Sequence, residues 1–242
     1  SARGDARQYS NKMLVLIDGR TVYGRLFSGV FWNAQDVLLE DVDRIEVIRG
    51  PGAVMWGSNA VNGVISIITK KSQSTQGALA ALATGSDDIG MAGFRWGGSR
   101  GERLAYRFWA KFNARDFRDG GSSIYRPNVN YSDAVRNLIR DIGATGDDAQ
   151  LWRTGFRMDW EKSSRDTLTL LGEVYGQRYT QSSWLLSPGP RIDQLVSRDT
   201  PSGGNVLARW TRTDSAGQDT TVQFYADRAT QKGPLYTVRV DT

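Results

Sequence analysis

Three stretches of this chain alternate apolar and polar side chains, and that period of two limits the fold more than any other feature. In Arg103–Asn113, Leu104, Tyr106, Phe108, Ala110 and Phe112 share one face, while Arg103, Ala105, Arg107, Trp109, Lys111 and Asn113 share the other. Leu151–Glu161 sets Trp152, Thr154, Phe156, Met158 and Trp160 against Arg153, Gly155, Arg157, Asp159 and Glu161. Thr220–Asp227 sets Val222, Phe224 and Ala226 against Thr221, Gln223, Tyr225 and Asp227. Successive side chains of a strand point to opposite faces, so each stretch reads as a strand between two different environments. A transmembrane β-barrel with aromatics near its strand ends satisfies this pattern. A soluble antiparallel sheet with one wetted face satisfies it equally.

Seven such strands are expected: Gly77–Thr84, Met91–Gly97, Arg103–Ala114, Leu151–Glu161, Thr167–Gln177, Asn205–Thr213 and Thr220–Ala229. Tight turns at Gly97–Glu102, Lys162–Asp166 and Asp214–Asp219 join them in pairs. Arg115–Gln150 and Arg178–Gly204 read as long loops. Short turns at one end and long loops at the other are the rule of outer-membrane barrels, and Ser86–Gly90 departs from it. Within the first long loop, Val135, Leu138, Ile139 and Ile142 share a helical face, so Ala134–Gly143 is expected to be a short helix.

The first 70 residues have another character. Asp41–Lys70 reads as strand, sharp turn, short helical turn and strand. Gly50-Pro51-Gly52 stops the first strand, because proline offers no N–H and glycine admits positive φ. Val64-Ile65-Ser66-Ile67-Ile68-Thr69 is a dense β-branched run suited to a buried strand. The glycines fit neither common nucleotide motif. Met55 stands where a dinucleotide fingerprint needs its third glycine, and Ser58 where a phosphate loop needs lysine. Upstream, Met13–Ile17 is a continuous apolar strand ended by Asp18-Gly19, a turn signal. Asn33–Asp41 is expected to be a short helix, with Ala34, Val37 and Leu38 at helical spacing. Ser72–Gln76 is small and polar and reads as a linker.

Composition removes several functions. The 242 residues contain no histidine and no cysteine, which excludes Ser-His-Asp and Cys-His catalysis and the commonest zinc ligands. Carboxylate-only catalysis is left open by composition, but no Asp or Glu pair stands out, and no enzyme, metal or cofactor is expected. No apolar run approaches the roughly 18 residues of a membrane helix. No secretory signal stands at Ser1, so the chain is expected to be a mature or internal piece. The formal net charge is +5. A nucleic-acid stripe is not the expected cause, because arginines alternate with apolar residues inside strands.

Arg-Ile-Glu-Val-Ile-Arg-Gly-Pro at residues 44–51, followed by Trp56-Gly57-Ser58-Asn59-Ala60-Val61-Asn62-Gly63 and the closing Ile67-Ile68-Thr69-Lys70, resembles the end of the plug domain of TonB-dependent outer-membrane receptors. Leu14-Val15-Leu16-Ile17-Asp18-Gly19 matches that family's earlier plug strand, and Ala2-Arg3-Gly4 resembles the element before it. The resemblance covers about the first 70 residues. It implies a mainly β chain: the C-terminal part of a plug, α+β with a small mixed sheet, over 1–72, then the opening strands of an incomplete antiparallel transmembrane barrel over 73–242.

The resemblance also implies function. Such receptors sit in the bacterial outer membrane among lipid and lipopolysaccharide. They bind an iron-siderophore chelate, vitamin B12 or a similar scarce ligand at the outer face. TonB and its inner-membrane energising proteins then act on the plug, through a box that the family carries upstream and that is not present in this sequence. Glycine-spaced aromatics in Thr21–Trp32 suit a recognition surface, and the family has an apical loop here. Tyr23, Arg25, Phe27, Phe31 and Trp32 are therefore the expected ligand residues; a packing loop is the plainer reading. Arg44, Glu46 and Arg49 are the expected plug–barrel latch, since plug arginines pair with wall carboxylates in the family; a solvated strand face is the plainer reading. Arg103, Arg107, Arg153, Arg157 and Arg209 are expected to meet plug carboxylates or water. A passive porin and a soluble sheet-rich binding domain remain the alternatives.

Overall fold

The computed structural model describes residues 13–24, 29–30, 32, 35–57, 59–85, 88–115, 148–187, 191–233 and 236–241. The expected loop helix at Ala134–Gly143 lies outside them. The N-terminal elements are β1 (Met13–Ile17), β2 (Arg20–Thr21), β3 (Tyr23–Gly24), β4 (Gly29–Val30), β5 (Val42–Arg49), a four-residue helix α1 (Ala53–Trp56) and β6 (Gly63–Thr69). Four of the strands form a sheet in the order β2-β1-β6-β5. β1 runs parallel to β6, from Met13 opposite Gly63 to Ile17 opposite Ile67, and β5 runs antiparallel to β6. The sheet is therefore mixed.

A central strand covered on both faces needs a continuous apolar run, which β1 has. Leu14 and Leu16 pack with Ala60 and Val64 on one side, and Val15 packs with Val22 and Val30 on the other. Gly63 adopts a φ of 155°, and a Cβ there would overlap the carbonyl oxygen of Ile48. The close β5–β6 approach therefore requires glycine. Among the described residues of Asn33–Asp41 the expected helix is not seen. Residues 35–38 have no regular structure and only Leu39–Asp41 forms a 3-10 turn. Ion pairs of Asp36 and Asp41, described below, hold this stretch extended.

The second sheet holds β7 (Gly77–Ala83), β8 (Asp88–Arg100), β9 (Leu104–Arg115), β10 (Ala149–Glu161), β11 (Asp166–Ser187), β12 (Arg191–Asp199), β13 (Ser202–Thr213), β14 (Asp219–Gly233) and β15 (Tyr236–Asp241). All its pairings are antiparallel. The nine strands replace the expected seven. Tyr236–Asp241 adds one strand. Arg178–Gly204, expected as a loop, adds the other, because β11 continues to Ser187 and pairs there with β12. Segments such as Tyr179-Thr180-Gln181-Ser182 hold the strand-favouring Tyr and Thr without the alternation that marks a two-faced strand. The three tight turns lie where expected, between β8 and β9, β10 and β11, and β13 and β14.

Outward faces carry Phe108, Phe112, Trp152, Trp160, Val174, Trp210 and Phe224, all exposed. Inward faces carry Arg107, Arg153, Arg157 and Leu207, all buried. Five aromatic rings lie over a glycine directly opposite on the neighbouring strand. They are Tyr106 over Gly98, Trp109 over Gly155, Trp152 over Gly176, Phe156 over Gly172 and Tyr175 over Gly203. Each ring covers backbone that glycine leaves bare and fixes the register, a use of aromatics also made in built sheets.

Gly155→Val should lower the barrel's unfolding temperature. Its Cβ would meet the Gly172 carbonyl oxygen at 2.7 Å and the Trp109 ring at 2.8 Å, an overpacking that costs about 1–3 kcal/mol. Gly90→Val, with open space around it, should leave that temperature unchanged. Heat-dependent gel mobility of the folded receptor reads both, and equal behaviour would contradict the pairing.

Candidate functional site: the seam between the small sheet and the wall

The β1–β2 turn projects against the inward face of the wall. Asp18 sits at φ 50°, and its carboxylate accepts the Thr69 N–H at 2.9 Å and the Thr69 hydroxyl at 2.8 Å. The Arg157 guanidinium stands 3.6 Å from the same carboxylate. Arg209 donates to the carbonyl of Asp18, and the Gln223 amide donates to that of Gly19 at 3.0 Å. Next to the turn, buried Arg20 reaches Asp227 at 2.5 Å and Glu173 at 3.5 Å. Glu173 also accepts from Arg153 at 2.7 Å and Asn205 at 2.8 Å. Arg153 lies over the Tyr175 ring, 4.6 Å from its centre, a stacked cation well suited to a desolvated place.

A second clamp lies about Asp41, which is 3% exposed. Arg95 meets it at 2.5 Å and Arg107 at 3.1 Å. Arg107 also donates to the Lys70 carbonyl and, at 3.0 Å, to the Thr69 hydroxyl. The same hydroxyl accepts from Arg157 at 3.0 Å while donating to Asp18. Thr69 thus spends its one hydrogen and both lone pairs at the seam. Lys111 adds a pair with Asp36 at 2.8 Å and a bond to the Val37 carbonyl. Leu38 lies against Gly93, where a Cβ would stand 2.8 Å from its methyl group.

Ser72–Gln76, expected as a plain linker, is a third attachment. Ser72 is fully buried and Thr75 nearly so. The Ser72 N–H donates to Asp159 at 2.8 Å, and its hydroxyl to the Arg157 carbonyl at 3.2 Å. Asp159 in turn holds Arg157 through two bonds and accepts the Thr169 hydroxyl. The segment crosses β8 at Gly97, where a Cβ would overlap the Thr75 carbonyl oxygen. Small polar residues here serve close approach.

Of the five arginines expected at this seam, Arg107 and Arg157 meet carboxylates of the small sheet. Arg209 meets its backbone, Arg153 meets the wall's Glu173, and Arg103 is exposed in the β8–β9 turn. The cross-seam partners Asp18, Arg20, Asp36 and Asp41 were not singled out from sequence, where Asp18-Gly19 carried only a turn signal. Among the expected latch residues, Arg44 pairs with Glu46 at 2.7 Å and Asp43 at 2.8 Å on the exposed β5. Those hydrogen bonds raise the pKa of the Arg44 guanidinium. Arg49 is exposed at the end of β5. The ion pairs that join the small sheet to the wall, among the described residues, are made elsewhere. Of the expected ligand residues, Tyr23 donates its hydroxyl to the Met13 carbonyl at 2.7 Å, and Trp32 is 54% exposed. Arg25, Phe27 and Phe31 lie outside the described residues.

A small mixed sheet seated by buried ion pairs on the inward face of an open antiparallel wall is the arrangement of a plug against part of a β-barrel. Residues 1–64 match the family model of the TonB-dependent receptor plug domain. The chain is 40% identical over 78 residues to the vitamin B12 transporter BtuB of Vibrio vulnificus, covering 32% of this chain and 12% of that protein. It is 29% identical over 224 residues to the probable TonB-dependent siderophore receptor PirA of Acinetobacter baumannii, covering 82% of this chain and 28% of that one. The crystal structure of the siderophore receptor PirA from Acinetobacter baumannii shares the fold, with a TM-score of 0.51 at 17% identity over 92% of this chain and 37% of that one. Residues 1–64 are thus a plug domain of the TonB-dependent receptor type, and the strands that follow share the fold of the solved receptor. The chain spans about a quarter of the length of the curated relatives that it matches along most of its own.

Asp41→Asn in the full-length receptor leaves Arg95 and Arg107 buried without their charge partner. Breaking such a pair from one side costs about 3–5 kcal/mol. Amide exchange in β5 and β6 should rise steeply and large antibiotics should leak in. Arg212→Ala removes an exposed, solvent-screened pair within the wall and should change neither. Equal effects of the two substitutions would contradict the seam.

Proposed function

We propose that this chain supplies the plug, over 1–72, and the opening wall, over 73–242, of an outer-membrane receptor. The receptor would carry a scarce ligand inward, an iron-siderophore chelate, vitamin B12 or a similar compound, driven by TonB and its inner-membrane energising proteins. The observation that carries this reading is the plug itself, fastened inside the wall by Asp18, Arg20 and Asp41. A passive porin has no use for such a fastening. A soluble sheet-rich domain would not expose Phe108, Trp152, Val174 and Phe224 along one outward face. The names of the relatives support ligand uptake of this class. The seam is polar, so the plug leaves or rearranges by exchanging ion pairs for water instead of exposing an apolar core. Arg44, Glu46 and Arg49 are proposed to latch to wall carboxylates other than those described.

A strain lacking the gene should lose uptake of either a labelled ferric chelate or labelled cobalamin, and the full-length gene should restore it only where TonB is functional. Restored uptake without TonB would overturn the active-transport reading.

For recognition, Tyr23, Arg25, Phe27, Phe31 and Trp32 are proposed to form part of the outward ligand surface. An arginine among aromatics suits an anionic, partly apolar chelate. Arg25→Ala with Trp32→Ala should weaken binding of the transported compound by about tenfold or more, or roughly 1.4 kcal/mol, with the barrel still folded. Equilibrium binding to the purified full-length receptor measures it, and unchanged affinity would remove this loop from the site.

A further inference from the structure

Beyond the seam, the inward face of the wall loses its charge. The row nearest the long-loop end that still touches the small sheet holds Gly93 and Lys111, which meet Leu38 and Asp36. The next inward row is Met91, Asn113, Leu151 and Gln177, opposite one another on β8 to β11. Their strand neighbours Phe112 and Trp152 are exposed on the outward face, so Asn113 and Leu151 point inward. All four residues of the row are half-buried. Gln231 continues the row on β14, because Thr230 stands opposite Ser202 and the Gln177 N–H donates to the Pro201 carbonyl. The Gln231 amide donates to the Tyr179 hydroxyl at 3.4 Å, and that hydroxyl donates to Asp199 at 3.2 Å. Among the described residues, no side chain of this row is charged.

Two amides in the row are unspent. The side-chain oxygens of Asn113 and Gln177 are buried and have no hydrogen-bond partner. A polar group left so costs free energy that a partner recovers. A half-turn of an amide exchanges its oxygen for its NH2, so each can accept from or donate to a molecule in the lumen. The two lie on strands separated by β10, and two strand spacings place them about 10 Å apart. Cations of the rows below are not available to such a molecule. Arg95, Arg107, Lys111, Arg153 and Arg157 each hold a carboxylate.

We propose that Asn113 and Gln177 form a wall subsite for carboxamide groups of the transported ligand, which is therefore amide-bearing and close to neutral, and not a polyanionic ferric chelate. A carboxamide donates and accepts at once, as these side chains do, so the two can pair at two points. A chelate with several negative charges would find no counter-charge in this row and would lose its water without return. The one arginine proposed for the plug loop, Arg25, provides for a single anionic group beside the amides. The inference rests on the uptake reading above and narrows its ligand.

The test uses the purified full-length receptor, with cyanocobalamin as the amide-bearing probe and ferric enterobactin as the polyanionic one. Wild type should bind cyanocobalamin more tightly, by on the order of 100-fold or more. Asn113→Leu/Gln177→Met should weaken cyanocobalamin binding by on the order of 30-fold, the loss of two neutral hydrogen bonds, with folding read by heat-dependent gel mobility. Among cobalamins with one carboxamide hydrolysed to a carboxylate, at least one should bind wild type more weakly than the parent, and the double variant no more weakly. A purely structural role for the two amides would not produce that coupling. Equal or tighter binding of ferric enterobactin by wild type overturns the proposal, whether or not the variant folds. So does binding of neither probe, or an unchanged cyanocobalamin affinity in the folded variant. TonB-dependent uptake of a ferric chelate in the strain test above would then leave the receptor reading standing with another ligand, whereas uptake of neither compound would remove both.

Discussion

Arginines buried inside the wall are the constraint on which the rest depends. Arg107, Arg153 and Arg157 are each less than 10% exposed. An isolated buried cation is untenable, and a buried pair is stable only when its geometry and remaining hydrogen bonds are complete. The wall supplies some counter-charges itself, as Glu173 and Asp159. Asp41 and Asp18 come from the plug. The plug is therefore part of the wall's charge balance, and its removal must let water or other anions in.

The interface is held at points instead of by a continuous apolar contact. One set of contacts grips the β1–β2 turn, another grips Asp36–Asp41, and the third ties the chain where it passes from plug to wall. Thr69 connects all three, since its hydroxyl and backbone touch Asp18, Arg107 and Arg157. Polar contacts of this kind are strong while dry and are readily replaced by water. That combination suits a part that is fixed at rest and rearranges under load.

The strand–turn–strand at Asp41–Lys70 and the two-faced wall strands were legible because periodicity and glycine-proline turns are local signals. The inward arginines were legible for the same reason, since they alternate with Trp, Phe and Met. Their partners were not. Asp18 and Asp41 look like turn and strand-start residues in sequence, and only the fold brings Asp18 within reach of Arg157. Arg44 and Glu46 were legible for a different reason. Their charges stand out in the motif, yet in the described structure they bind each other on an exposed strand. The continuation of β11 past Arg178 was missed because Thr180, Gln181, Ser182 and Ser183 interrupt the alternation. The 3-10 turn at Leu39–Asp41 was missed because tertiary ion pairs override the helical spacing of Ala34, Val37 and Leu38.

The central claim is that this plug sits against β8–β11 in the native protein. The chain has no cysteine, so pairs introduced into the full-length receptor can be read without background from this region. Leu38→Cys with Gly93→Cys, joined by a short bismaleimide in intact cells, should give a linked peptide pair by mass spectrometry. Val54→Cys with Gly93→Cys, where Val54 is fully exposed, should not. Linkage of the first pair alone is the predicted result; no linkage, or equal linkage of both, would contradict the seating of the plug.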